Sequence, residues 1–335
     1  MTRCFIPTGY KSALDIRETE LAIKYVKDTF EKIFSESMGL LRVSAPLFVE
    51  KSSGLNDDLN GVERPVSFEA KGVGDEMQIV HSLAKWKRMA LGRYGFGAHQ
   101  GLYTDMNAIR RDEDVDNLHS IYVDQWDWEK VILAEDRNFN YLHETVRVIV
   151  RALAATELAA CAMFKQLTPC IHPEVHFITT SELEDMYPGL TPKERENKIA
   201  EQYRTVFVAQ IGDKLKNGKP HDGRAPDYDD WALNGDIILW NDVLGSAFEI
   251  SSMGIRVDET SLRAQLDKAG CPERAELPFH KALLEGKLPL TIGGGIGQSR
   301  ICMQILKKCH IGEVQASVWP ETTREVCAQG GVFLL

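Results

Sequence analysis

Four glycines in five residues, Gly293-Gly294-Gly295-Ile296-Gly297, followed by Gln298-Ser299-Arg300, limit the fold more than any other stretch. Without Cβ atoms, such a run lets a flat or phosphorylated ligand lie close against the backbone. It is not a Walker loop, because no Gly-Lys-Ser/Thr ends it. Nor does a strand–GxGxxG–helix unit open a Rossmann domain here. The pattern predicts a helix over 296–308 entered through the glycines. Its free first-turn N–H groups would face an anion, and Arg300 would sit one turn in. Taken alone, the run is also explained by a glycine-rich turn beside a surface arginine.

The rest of the chain supplies the frame. Helical spacing covers 12–38, where Ile23, Val26, Phe30, Ile33 and Phe34 form one stripe and Gly39 is a stop. A strand follows over 40–49, with Pro46 near its end, and then a polar segment over 51–61. Helices are predicted over 81–93, 141–166, 261–269 and 279–286, and strands over 120–127, 205–211, 236–240 and 247–251. Strands spaced this irregularly do not fit simple βαβ winding, so the expectation is an α/β (α+β) fold with a mixed, mainly antiparallel sheet flanked by helices. With no internal repeat or long linker, 335 residues are expected to form a single domain over 1–335.

Composition excludes several classes. Hydrophobic residues make up 44% and charged residues 26%, an ordinary globular balance. No run of about 18 apolar residues exists to span a membrane. Acidic side chains outnumber basic ones, 49 to 39, and no basic stripe suggests nucleic acid as a partner. The first ten residues lack the apolar centre of a signal peptide. Seven scattered cysteines show no zinc-ligand spacing, which fits free thiols in a reducing, cytoplasmic setting.

Two further groups of residues could carry chemistry. If 236–240 and 247–251 pair with Trp240 opposite Ala247, Ile238 faces Glu249, and Asp236 becomes a diagonal neighbour of Glu249. Two carboxylates on one sheet face can hold Mg²⁺, and they are also what a solvated strand face carries. Between Gly101 and Trp128, Arg110 and Arg111 open a charged loop. Gln125 and Asp127 then lie two apart, on one face, where they could bind an ammonium group or be plain surface polars.

Together these segments resemble the signature motifs of class II aminoacyl-tRNA synthetases. The strand ending at Pro46 looks like the first motif, Arg110 with its acidic loop and following strand like the second, and Gly295, Gly297 and Arg300 like the third. A closer resemblance is to the ammonia-dependent, A-type aspartate–ammonia ligases. It is carried by HSLAKWKR (81–88), YVDQWDWE (122–129), RAPDYDDW (224–231), FEISSMGIRVD (248–258) and TIGGGIGQSR (291–300). It extends over nearly the whole chain and implies the catalytic core of a class II synthetase without an anticodon-binding module.

The resemblance implies a reaction in which ATP activates the β-carboxylate of aspartate as β-aspartyl-AMP, releasing pyrophosphate. Ammonia then displaces AMP to give asparagine. Arg110, Arg300, Lys87 and Asp57 would be catalytic. Aspartate would be held by Asp57, Lys87, Gln125, Asp127, Ser252 and Arg256. ATP would meet Arg110, Leu118, Ser120, Asp236, Glu249, Ser251, Gly295, Gly297 and Arg300, with Mg²⁺ on Asp236 and Glu249. Arg224 and Asp229 are further candidates, and His119 stands where synthetases often stack a phenylalanine on adenine. A homodimer built on the first motif is implied. Two other readings remain: a synthetase paralogue that activates aspartate without making asparagine, and a non-catalytic binding module. Position 2 is Thr, not the cysteine of an N-terminal glutaminase, so ammonia is the expected nitrogen donor.

Overall fold

A computed structural model of the protein describes residues 4–57 and 63–335. Its strands are β1 (Leu40–Arg42), β2 (Phe48–Glu50), β3 (Ser67–Glu69), β4 (Glu76–Ile79), β5 (Gly101–Ile109), β6 (Tyr122–Val131), β7 (His176–Thr179), β8 (Thr205–Ala209), β9 (Asp229–Asn241), β10 (Ser246–Arg256) and β11 (Thr291–Gly297). Its helices are α1 (Ile16–Met38), α2 (Ala84–Arg93), α3 (Phe139–Met163), α4 (Thr180–Met186), α5 (Pro192–Tyr203), α6 (Glu259–Ala269), α7 (Pro278–Leu284), α8 (Gln298–Ile305) and α9 (Glu321–Gln329). No helix among the described residues is long and apolar enough to cross a membrane.

Eight strands form one sheet in the order β1-β5-β6-β11-β10-β9-β8-β7, and β2, β4 and β3 form a small second sheet. Only the outermost pairs of the large sheet, β1 with β5 and β7 with β8, are parallel. The interior pairs are antiparallel, as the irregular strand spacing predicts.

The two faces of the sheet differ in chemistry. Trp126 and Trp128 of β6, Ile292 and Ile296 of β11, Met253 and Ile255 of β10, and Ile237 and Leu239 of β9 all point to one side. There they pack with Val26, Phe30 and Phe34 of α1, Ile149 and Leu153 of α3, and Ile301 and Ile305 of α8. Phe30 meets Trp126 at 4.8 Å between ring centroids, and Phe34 meets Trp128 at 6.1 Å. Fully burying each such ring contributes on the order of 2–3 kcal/mol. On the opposite face, read from the same alternation, the central strands β6, β11 and β10 carry polar side chains that line the cleft described below, while Val206, Val208 and Ile238 pack with Ile199 of α5, and Met106 and Ala108 with Leu83, in apolar clusters to either side.

Helix α1 begins four residues later than predicted, because Asp15 is its N-cap. The Asp15 carboxylate accepts from the Glu18 amide, and the Glu18 side chain accepts from the Asp15 amide. Gly39 ends the helix in the left-handed region, at φ 68°. The predicted strand over 40–49 divides into β1 and β2, which belong to different sheets, with Pro46 in the gap. Residues 58–61 of the predicted polar segment lie outside the described residues. The predicted helix over 296–308 is corrected at its start. Ile296 and Gly297 finish β11, the helix begins at Gln298, and the glycine run is a strand at the centre of the sheet. The Ser299 amide, in the first turn of α8, donates to Asp124 Oδ1 at 3.0 Å rather than to a ligand.

Candidate active site

The glycines of β11 make the polar face into a cleft. Gly293, Gly295 and Gly297 lie opposite Glu129, Asp127 and Gln125 on β6. On the other side, Gly293 and Gly295 pair with Gly254 and Ser252 of β10. A side chain at Gly295 would fall on Gln125 Oε1 and reach within 3.3 Å of Asp127 Oδ1. One at Gly293 would fall on Glu129 Oε2, with Arg256 Nη2 at 2.6 Å. Glycine is therefore needed here to leave room for polar side chains from both neighbouring strands.

The hairpin of β9 and β10 has the predicted register at its turn end, with Ala247 opposite Trp240 and Glu249 opposite Ile238. A bulge between Glu249 and Ser251 then moves the register by one, so that Ser252 opposes Asp236. The bulge turns Glu249, Ser252 and Arg256 to the cleft while Met253 and Ile255 go into the core. Ile250 is left without a partner on β9, and beyond it Ser251 pairs with Ile237 and Ile296, on the core face. The Ser251 hydroxyl is buried and does not line the cleft.

The cleft is made of adjoining spaces that share lining residues, with a main cavity of about 390 Å³. Asp57, Lys87, Arg110, Gln125, Asp127, Glu249, Ser252, Arg256 and Gly295 line it. A neighbouring recess is lined by Arg110, Leu118, His119, Ser120, Gln125, Glu249, Gly295, Gly297 and Arg300. A third holds Asp236 and Glu249 together with Lys193, Glu196 and His221. Glu249 borders all three spaces. With Ser251 as the exception, the structure gathers the candidate residues around one opening.

The deep end of the cleft is a buried ion network. Lys87 of α2 is fully buried and donates to Asp127 Oδ1 at 2.6 Å and to the carbonyls of Trp128 and Gly294 at 3.0 and 3.1 Å. Glu129 Oε2 lies 3.8 Å from its Nζ. Burial pulls the Lys87 pKa below the usual lysine value in spite of these two carboxylates. Arg256 donates side-on to Glu129, with Nε at 2.9 Å and Nη2 at 2.7 Å, and its Nη1 donates to Asp229. Thr291 Oγ1 donates to Glu129 Oε1 at 2.7 Å. Burial would weaken the Arg256 charge, but Glu129 and Asp229 overcome it and raise its pKa. Burial likewise opposes the Glu129 charge, and Arg256 and Lys87 hold its pKa low. Such a network is costly to break from either side.

At the outer end, Arg224 donates to Asp236 Oδ1 at 2.6 Å and also to Ser252 Oγ. Burial pushes the Asp236 carboxyl up to about 7. Arg224 opposes the shift, and the charge of nearby Glu249 adds to it. Arg300 donates to the Glu249 carbonyl at 2.9 Å, with the carboxylate at 3.6 Å. Arg110 lies 3.7 Å from Glu113. His119 is fixed by Asp116, which accepts from its backbone amide at 2.8 Å and lies 2.9 Å from Nδ1. Asp236 and Glu249 supply hard oxygen donors to one recess, and the charge of Glu249 strains that of Asp236. A dication would relieve that strain, so this pair fits Mg²⁺.

Sequence reasoning missed Glu129. It belongs to the same period-2 series as Gln125 and Asp127, so extending that series by one step would have found it. Tyr228, which lines the cleft with Arg256 stacked 5.7 Å from its ring centre, left no comparable signal.

The fold is that of a class II aminoacyl-tRNA synthetase catalytic core. The chain superposes on asparaginyl-tRNA synthetase from Pyrococcus horikoshii, solved with asparaginyl-adenylate, with a TM-score of 0.65 over 91% of this chain and 71% of that one, at 17% identity. Aspartyl-tRNA synthetase from Entamoeba histolytica matches with a TM-score of 0.59 over 90% of this chain and 59% of that one, at 16% identity. Residues 17–331 match the family model for aspartate–ammonia ligase. Aspartate–ammonia ligases from Lactobacillus acidophilus and Clostridium tetani are 61% and 60% identical, each covering 99% of this chain and 100% and 98% of their own lengths. The chain belongs to the aspartate–ammonia ligase family and is an enzyme.

Proposed function

We propose that this ligase makes asparagine from aspartate and ammonia by way of β-aspartyl-AMP, releasing pyrophosphate and then AMP, within a single catalytic domain over 1–335. One observation carries the adenylate route. A single cleft joins a deep end suited to a zwitterion to an outer end suited to a nucleotide, and Glu249 stands at the junction.

The chemical problem is the attack of one anion on another. Arg256, already held rigidly by Glu129 and Asp229, presents its guanidinium to the α-carboxylate of aspartate. Asp127, Gln125 and Asp57 receive the α-ammonium group, and Lys87 holds Asp127 in place. Ser252 completes the wall. The β-carboxylate then points along the cleft toward the nucleotide. Arg110 and Arg300 lie against the phosphates, so negative charge that builds on the α-phosphate is met by fixed positive charge. Leu118, His119 and Ser120 flank the base and ribose side, and Gly295 and Gly297 let the nucleotide lie close to the sheet. Asp236 and Glu249 would hold Mg²⁺. The ion would supply charge neutralisation of the phosphates.

Asp57 is buried in the cleft wall, where His81 Nδ1 lies 3.1 Å from its carbonyl oxygen. Its buried position supports a part in excluding water while ammonia attacks. A homodimer fits the exposure of Leu21 on α1 and Leu41 on β1, the edge strand of the large sheet. Seven cysteines without a disulfide suit a cytoplasmic setting.

The test is one incubation with ATP, aspartate, ammonium and Mg²⁺. Asparagine and AMP in equal amounts are expected. ADP and phosphate in those amounts would point to an acyl-phosphate route and sink the proposal.

A further inference from the structure

Behind the nucleotide recess lies a sulfur cluster that the ligation chemistry does not use. Cys4, Cys309 and Cys327 of α9 pack together in one small apolar core. Cys4 and Cys327 are 323 positions apart, yet their Sγ atoms lie 3.9 Å from each other. Both are buried, 6% and 1% exposed. With His310 they form a group whose donor atoms all lie within 4.8 Å of one another. Soft donors so arranged suit either a metal ion or a thiol–disulfide pair.

The imidazole decides between the two. Its Nδ1 accepts the Gly312 amide at 3.0 Å, so the neutral ring carries its proton on Nε2. A metal-bound histidine donates from its second nitrogen to an oxygen acceptor. Here Nε2 ligation would set an Nδ1 proton against the Gly312 N–H, and Nδ1 ligation would displace that amide. Left as it is, the ring offers an N–H, which favours a thiolate. The Cys4 pKa is lowered to about 5, first by the hydrogen bond to Cys327 and then by His310, while that of Cys327 is raised. The two sulfurs are in contact and either can donate to the other; with the Cys4 pKa lowered and that of Cys327 raised, Cys4 is the sulfur that ionises first, as disulfide formation requires.

We propose that Cys4 and Cys327 are a modification site that hydrogen peroxide converts to an intramolecular disulfide, joining the N-terminal segment to α9. The Cys4 thiolate attacks one peroxide oxygen, breaking the O–O bond and leaving a sulfenic acid and hydroxide. The Cys327 sulfur then attacks the Cys4 sulfur. The S–S bond forms, the S–O bond breaks, and the Cys327 proton leaves with the departing oxygen as water. Counting the proton first lost by Cys4, two thiols and one peroxide give one disulfide and two waters. The sulfurs lose the two electrons that the peroxide gains. Closing the pair from 3.9 Å to a bonded distance requires a movement of about 2 Å.

The bond would act on a wall of the nucleotide recess. Phe5, next to Cys4, donates its amide to Asn117 Oδ1 at 2.9 Å and accepts from Asn117 Nδ2 at 2.8 Å. The Asn117 carbonyl accepts the Ile311 amide at 2.8 Å. Leu118 and Ile311 both line the recess.

The test treats reduced, full-length protein with hydrogen peroxide, blocks remaining thiols by alkylation, and maps peptides by mass spectrometry. A Cys4–Cys327 cross-link that dithiothreitol reverses, together with a several-fold change in KM for ATP and little change for aspartate, is expected. Cross-linking of either residue to Cys309, or oxidation without a cross-link, would overturn the proposal. So would a cross-link that leaves both KM values unchanged. These readouts use the unaltered chain, so a misfolded variant cannot obscure them. Cys4→Ser is expected to abolish the cross-link and leave the ammonia-dependent rate unchanged. A parallel zinc titration of the reduced protein is expected to leave no bound metal after desalting. One equivalent retained, and lost in His310→Gln, would instead make the cluster a metal site.

Discussion

Arg256 shows most sharply how a single side chain ties the buried network to the proposed aspartate subsite. Its guanidinium is bonded to Glu129 through two N–H groups and to Asp229 through a third. Lysine would keep the charge but lose the planar fork. Arg256→Lys is therefore expected to raise KM for aspartate at least tenfold while changing KM for ATP much less. It should also lower stability by about 1–3 kcal/mol, because a buried acceptor loses its donor. Steady-state kinetics and thermal melts check both parts, and equal effects on the two substrates would remove Arg256 from the aspartate subsite. Asp236 carries a pH dependence. Its carboxyl titrates near 3.8 when unfolded and near 7 in the folded chain, chiefly through burial. The folded state thus keeps a proton that the unfolded chain has lost between these values. The stability from this group is complete below about pH 4 and disappears as pH rises through 7. Mg²⁺ binds the deprotonated form, so its stabilising effect in thermal melts should grow from pH 6 to pH 8. Asp236→Asn should abolish that growth, whereas Mg²⁺ stabilisation independent of pH would contradict the assignment.

At the scale of elements, β11 is the part most open to test. A methyl group at position 293 would occupy the space of Glu129 Oε2 and crowd Arg256 Nη2. Gly293→Ala is expected to destabilise the protein by about 3–5 kcal/mol, the range for breaking a buried ion pair. Gly297→Ala, whose added carbon would have the flexible Arg300 side chain as its nearest neighbour at 3.2–3.4 Å, should cost far less. Chemical denaturation of the two variants makes the comparison, and equal losses would contradict the account of the glycine strand. Much of this region was legible in the sequence. The α1 stripe of Val26, Phe30 and Phe34 follows from periodicity and the Gly39 stop from its residue type, whereas the hairpin register at Trp240 and Ala247 enters as an assumption that the strand pairing matches. The β10 bulge was not legible, because Ile250-Ser251-Ser252 fits either face and nothing in the residues marks the extra one. The glycine run reads as a helix entry in the sequence because glycine's value as a strand depends on Gln125, Asp127 and Glu129 beside it, which lie far away in the chain. Helices α4 and α5 were overlooked despite local signals. The Thr179–Glu182 and Thr191–Glu194 capping boxes, the second with Pro192 at the first helical position, announce both starts.

For the whole molecule, one face of the sheet packs α1, α3 and α8, while the centre of the other lines the cleft. Cys4 is buried in its own cluster rather than opening on the cleft, which leaves it poorly placed as a glutaminase nucleophile. Ammonium is therefore expected to support asparagine formation far better than ammonia-free glutamine. Equal rates, with glutamine use alone lost in Cys4→Ala, would reveal a glutaminase site. The central claim is that the aspartate β-carboxylate attacks the α-phosphate of ATP, and isotope transfer tests it most directly. Aspartate labelled with ¹⁸O in the β-carboxylate is incubated with ATP, Mg²⁺ and ammonium, and the AMP is examined by mass spectrometry. One ¹⁸O in each AMP formed is the expected result. Unlabelled AMP, or label found instead in inorganic phosphate, would contradict the account.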